Sequence, residues 1–128
     1  MIPYPEFYLK YITPYEDTKH IYRHQVGFIV WRTGTGGNTE LLHIRTWDKG
    51  KGHGRRLVYH MLDRINPYFS VFGFTRVGND EAQKFYGTLG FNLQEVSGLY
   101  QDGQAIMFWQ SYKLLMSGKS KYEDTLHS

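Results

Sequence analysis

The run Asp48-Lys49-Gly50-Lys51-Gly52-His53-Gly54-Arg55-Arg56 carries the densest chemical signal in the chain. It sits where a β-branched and aromatic segment gives way to helical spacing. Glycines there let backbone amides approach a ligand, and the following helix adds free N–H donors and the positive end of its dipole. Phosphate is the natural guest of such a turn. Between positions 45 and 56, Arg45, Lys49, Lys51, Arg55 and Arg56 face one acid, Asp48, a local charge of +4; with +3 in total, the rest of the chain sums to −1. A general nucleic-acid binder spreads positive charge over a face, whereas here one segment holds it, so nucleic acid ranks last among the partners. The run matches neither the P-loop string nor the G-x-G-x-x-G fingerprint, because Arg55 stands where the third glycine belongs. By itself it is either an anion site or a glycine-rich turn with solvated basic residues.

Other positions bear reactive groups. Tyr86 keeps its proton at neutral pH, its ordinary pKa being about 10, and is a candidate acid; by position alone, beside Ala82, Phe85 and Leu89, it is a core aromatic. Glu40 shares strand parity with Leu42 and Ile44, which makes it either a cleft-facing carboxylate or a solvated strand-end residue. His43 points the other way by the same parity and reads as a packing or surface histidine. His20 and His24 stand one helical turn apart, but no third ligand accompanies them, and no metal is expected.

The elements that must position these groups follow from periodicity. Residues 6–12 read as a strand, and Thr13-Pro14-Tyr15-Glu16 combines a capping box with proline at the first helical position, so a short helix is expected to about Arg23. Residues 25–32 and 40–47 have strand composition around the turn at 34–37 and predict a hairpin. Leu57, Val58, Met61, Leu62 and Ile65 recur at helical spacing until Asn66-Pro67. Residues 68–77 return to strand composition, Asn79 or Asp80 caps the next helix, and Gly90 closes it. A final hairpin is expected over 91–99 and 105–113 about Asp102-Gly103, followed by a polar tail over 117–128. The order β α β β α β α β β predicts an α/β fold, a mixed and mostly antiparallel sheet with a central parallel strand pair and flanking helices.

The chain has 128 residues, enough for one domain over 1–128. With no cysteine, disulfides, thiolate-held metals and a cysteine acyl-enzyme are excluded, and a reducing compartment is implied. The apolar runs 26–31 and 105–109 are far shorter than the roughly 18 residues that a membrane span needs. The opening lacks the basic start and apolar stretch of a secretion signal, so a soluble cytoplasmic protein without a membrane partner is expected.

Lys49-x-x-Gly52-x-Gly54 after one strand, then Asn79-x-x-Ala82-x-x-Phe85-Tyr86-x-x-x-Gly90-Phe91 after the next, resembles the GNAT family of acyl-CoA-dependent N-acetyltransferases. Lys49 stands where the family usually has Gln or Arg, and Leu42-His43-Ile44 falls where it tends to have an apolar triplet. The resemblance implies that amides from Lys51 through Gly52, His53 and Gly54 to Arg55 grip the pyrophosphate of acetyl-CoA. Lys49, Gly50 and Arg56 join that site. The backbone of Ile44, Arg45 and Thr46 is implied to hydrogen-bond the pantetheine arm, Asn79 and Phe85 to contact the cofactor, and Tyr86 to protonate the leaving thiolate. Some members use a carboxylate on the strand that holds Glu40. The stretch ahead of the phosphate loop is shorter than the family's usual acceptor-binding elements. That leaves the amine acceptor, a small molecule or a protein, unread, and leaves open completion of its site by a homodimer. Two activities compete: direct acetyl transfer to an amine, or a weak or inactive GNAT-fold module that binds acyl-CoA or a protein partner.

Overall fold

The computed structural model describes residues 20–34, 36–100 and 103–127. These fall into two compact units, one through Ile65 and one from Asn66 onward. The expected strand at 6–12, the capping box and the tyrosines Tyr4, Tyr8, Tyr11 and Tyr15 lie outside the described residues.

In the first unit, β1 (His20–His24), β2 (Gly27–Thr33) and β3 (Thr39–Thr46) pair antiparallel in sequence order. The helix expected to reach Arg23 is therefore corrected: Ile21, Tyr22 and Arg23 are strand, opposite Val30, Ile29 and Phe28. β-Branched and aromatic side chains gain more from pairing along buried β2 than from extending a short helix. The turn into β2 requires a glycine. Gly27 has φ 157°, and a Cβ there would strike the Arg45 carbonyl oxygen and come within 2.9 Å of the Thr46 Cα.

β2 is the axis of this unit, with Phe28, Ile29 and Val30 all at 0% exposure, so both of its faces are covered. Its register against β3 slips once: Val30 faces His43, whereas Trp31 faces Leu41, leaving Leu42 as the extra residue of a β-bulge. The slip keeps Leu41 on the buried side with Trp31 and Glu40 on the side of Arg32. Helix α1 (His53–Leu62) packs on β2 and β3. It covers the face carrying Tyr22, Ile29 and Ile44: the His60 ring stacks on Tyr22 at 3.3 Å between centroids, and those three residues lie side by side across the strands. Leu57, Val58, Met61 and Leu62 are at most 2% exposed, each contributing about 1.5–3 kcal/mol by burial.

In the second unit, β6 (Gly103–Ser111) lies between β4 (Ser70–Arg76) and β5 (Asn92–Tyr100), antiparallel to both. The expected final hairpin is thus present. Helix α2 (Asp80–Thr88) packs on β5 and β6, and α3 (Tyr112–His127) packs on β6. Asn79 caps α2 by accepting the Ala82 N–H at 3.1 Å, and Asp80 and Glu81 complement the dipole of its first turn.

Helix α3 corrects the expected polar tail, since residues 117–127 belong to it. Ser111 Oγ accepts the Leu114 N–H at 3.3 Å near its start, Leu115 is 2% exposed, and Lys119 pairs with Glu123 at 3.0 Å. Most of the polar residues form the solvent side of a helix whose other side is partly buried, with Lys119 at the boundary. A Cβ at Gly118 would stand 4.0 Å from the Leu89 carbonyl oxygen, an ordinary contact.

Candidate functional site

The glycine-rich run expected to hold phosphate belongs wholly to the first unit. The Trp47 N–H donates to the Val26 carbonyl at 3.0 Å and closes the β2–β3 ladder. The chain then turns through Gly50 and Gly52 at φ 81° and 75°, values that glycine adopts freely and other residues rarely do. Gly52 is itself the N-cap of α1, with no side chain to cap the first-turn amides and no acid in that turn. Those N–H groups and the dipole behind them are therefore available to an anion.

Arg56 braces the loop from within the helix: its Nη2 donates to the Lys51 carbonyl at 3.4 Å, and its Nη1 lies 3.4 Å from His53 Nδ1. Arg55 donates to the Tyr59 hydroxyl at 3.4 Å. Lys51 stands 3.9 Å from Asp48 with both side chains about two-thirds exposed, a contact of little energetic weight. Behind the loop, the Arg45 and Thr46 backbone pairs with Phe28 and Gly27, and Ile44 with Ile29.

The structure changes the reading of β3. The bulge at Leu42 breaks the parity that placed Glu40 on the face of Ile44, and Glu40 instead shares the face of His43. There its Oε1 accepts from both Nε and Nη2 of Arg32 at 2.7 Å. His43 lies against Phe28, 5.6 Å between ring centroids. Burial, reinforced by Arg45, pushes its pKa down to about 4, so the imidazole is neutral at pH 7. His20 and His24 sit on a strand instead of one helix turn: His20 stacks on Trp31, and the Nδ1 of His24 accepts the Val26 N–H. Among the described residues no group of three metal-ligating side chains forms.

In the second unit, α2 presents Asn79, Phe85 and Tyr86. The Asn79 carbonyl oxygen is engaged by the cap, so its NH₂ is the group left to meet a ligand. Phe85 is half-buried, while Tyr86 is 6% exposed inside an aromatic cluster. Its ring stacks on Phe108 at 3.7 Å and 12°, with Phe85 and Phe91 edge-on at 5.2 and 5.7 Å. Burial alone raises the phenol above its ordinary value, so it is protonated at any physiological pH. Phe108, in a strand whose neighbours are all apolar or aromatic, carried no sequence signal for this contact.

No family model matches the chain, and neither does any curated protein. Solved structures do. A GNAT family acetyltransferase from Elizabethkingia anophelis, solved with acetyl-CoA bound, aligns over 87% of this chain and 91% of its own at TM-score 0.68 and 16% identity. This chain has the GNAT fold. Ard1 from Thermoplasma volcanium shares that fold at TM-score 0.55 and 26% identity over 66% of this chain. Naa50 of Arabidopsis thaliana, solved with a CoA-linked bisubstrate analogue, aligns at TM-score 0.56 and 21% identity over 67% of it. The alignments span 62% and 65% of those two proteins. The GNAT fold is a mixed α/β sheet with flanking helices, the class expected from the order of elements, and among the described residues no helix is long and apolar enough to cross a membrane.

Proposed function

We propose that this chain is an acetyl-CoA-dependent N-acetyltransferase that passes the acetyl group directly to an amine. The observation that carries the reading is the uncapped start of α1, opened by two left-handed glycines and flanked by basic residues, inside the GNAT fold. In this reading the amides from Lys51 to Arg55 hold the pyrophosphate, with Lys49 and Arg56 adding charge. Ile44, Arg45 and Thr46 offer backbone groups to the pantetheine arm, and Asn79 and Phe85 contact it from α2. The chain acts as one acyltransferase domain, a view supported by the 87% coverage of the Elizabethkingia match. A reducing, cytoplasmic setting is supported by the absence of cysteine.

The transfer balances simply. The amine nitrogen attacks the thioester carbonyl, a C–N bond forms, and the C–S bond breaks. The nitrogen gives its proton to water, and the sulfur leaves as a thiolate that takes a proton from water afterwards. Tyr86 is the hydrogen-bond donor to that sulfur: its phenol is protonated at physiological pH and is carried by the helix that presents Asn79 and Phe85. With its pKa raised, the phenol gives up its proton reluctantly, so its contribution is a hydrogen bond that strengthens as charge gathers on sulfur. Glu40, held by Arg32, is assigned no proton-accepting role. That same pairing favours a second reading, in which the fold binds acyl-CoA without turnover.

Calorimetric titration with acetyl-CoA tests the binding. Thiol release in the presence of polyamines, aminoglycosides and peptides with a free N-terminus tests the chemistry. Saturable heat with turnover on one class is the expected result. Heat without turnover selects the binding module, and no heat at all overturns both.

A further inference from the structure

We infer that Phe108 is a positioning residue: its ring, stacked on Tyr86, fixes where the Tyr86 hydroxyl stands and so sets the rate of transfer without itself meeting acetyl-CoA or the amine. The inference rests on the donor role proposed above for Tyr86.

Phe108 lies mid-strand on β6, 1% exposed, with Leu93 beside it on β5 and Gly73 beside it on β4. No side chain on β4 flanks its ring in that row, and the Tyr86 ring lies over it at 3.7 Å and 12°. Free aromatic pairs prefer an offset or edge-to-face arrangement, with centroids about 4.5–7 Å apart. A nearly eclipsed stack is therefore held by the surrounding backbone rather than chosen by the two rings.

The end of α2 supplies that hold. Gly90, at φ 97°, donates its N–H to the Gly87 carbonyl and Phe91 donates to the Tyr86 carbonyl, both at 3.1 Å. Together these form a Schellman motif whose characteristic apolar contact is the Phe91–Tyr86 pair. Phe91 is also edge-on to Phe108, at 5.2 Å and 82°. Tyr86 is thus tied at its backbone by the helix stop and at its ring by Phe91 and Phe108. A tilt at the stack is magnified at the hydroxyl, the far end of the ring. A misplacement of that group by about 1 Å is enough to cost roughly 10²-fold in rate.

The test is a double-mutant cycle with Phe108→Leu and Tyr86→Phe, measuring kcat on an amine accepted in the panel above together with the acetyl-CoA Kd. Phe108→Leu is expected to lower kcat about 10- to 100-fold and to leave the Kd within about twofold. In the Tyr86→Phe background the same change should cost less than about twofold, since the hydroxyl it positions is gone. Equal losses in both backgrounds overturn the positioning role while leaving the acetyltransferase reading intact. Phe108→Met replaces Phe108→Leu if the latter does not fold. Should the unaltered chain turn over no amine, the acetyltransferase reading fails, and the ring-flip rate of 13C-labelled Tyr86 by NMR decides the positioning: tenfold faster flipping in Phe108→Leu supports it, and an unchanged rate overturns it.

Discussion

Mild acid should destabilise this protein through His43. The imidazole is held at a pKa of about 4 against an ordinary 6.5, chiefly because burial beside Phe28 disfavours its charged form and secondarily because Arg45 repels it. The unfolded chain therefore binds a proton that the folded chain refuses between those two values, so stability is fully present above pH 6.5 and falls as the pH drops toward 4. By linkage, about 2 kcal/mol is lost by pH 5 and about 3 kcal/mol by pH 4. Against a total of roughly 5–15 kcal/mol for a domain, such a loss is visible. Urea unfolding of the native chain and of His43→Leu, followed from pH 7.5 to 4.5, isolates the effect, because the variant lacks the titrating ring whatever its absolute stability. The expected result is a midpoint that falls steeply in the native chain and much less in the variant. Parallel decline in both would refute burial of a neutral His43 as the cause.

Tyr86→Phe should lower kcat by about 10²- to 10³-fold, the worth of one donor aimed at developing charge. Its melting temperature should change little, because only one oxygen is lost from an otherwise equal ring; a drop equivalent to one buried hydrogen bond, roughly 0.5–1.5 kcal/mol, with normal turnover would return Tyr86 to a packing role. Gly27→Ala should destabilise the first unit by more than about 2 kcal/mol, since the added methyl meets the Arg45 carbonyl and the Thr46 Cα; chemical denaturation reads this directly. Gly52→Ala places a side chain at φ 75° on the N-cap, with an expected cost of about 1–2 kcal/mol and a weaker acetyl-CoA Kd by calorimetry. Replacing Arg55 and Arg56 together by Ala should weaken acetyl-CoA binding more at low salt than at high, because the lost interactions are charge-assisted; an equal loss at both would deny them that role.

What could be read in the sequence was local. Gly50, Gly52 and Gly54 at a strand-to-helix junction, the apolar spacing from Leu57 to Leu62, and Asn79 with Gly90 as the two ends of a helix each depend on neighbours within a few positions. What was misread depended on partners far along the chain. A helix signal at 13–16 was carried forward to Arg23, though Ile21 and Tyr22 answer to Val30 and Ile29 on the next strand. Residues 117–127 look like a tail because one side of α3 is polar, while its buried stripe rests on Leu115 against β6. The parity of Glu40 failed at a bulge, which is a property of two strands together. The Arg32–Glu40 pair was within reach, since both residues lie symmetrically about the turn of a predicted hairpin. The stack of Phe108 on Tyr86 was not, because nothing in a run of apolar strand residues says which ring lies over it.

The bulge at Leu42 also bears on how this chain tolerates changes of length. Removing Leu42 would leave every pair on both sides as it stands: His43 would still meet Val30, and Leu41 would still meet Trp31. Losing a residue of β3 other than Leu42, or Leu41, whose removal leaves the same sequence, would shift one side of the strand by a position and turn its buried residues outward. The bulge therefore divides β3 into a leading part that carries Glu40 and a trailing part that carries Ile44, Arg45 and Thr46 into the glycine-rich loop. Across sequences that share this fold, single-residue deletions in this strand should gather at positions 41 and 42, where they leave the pairing on both sides and the frame of the loop behind it unchanged.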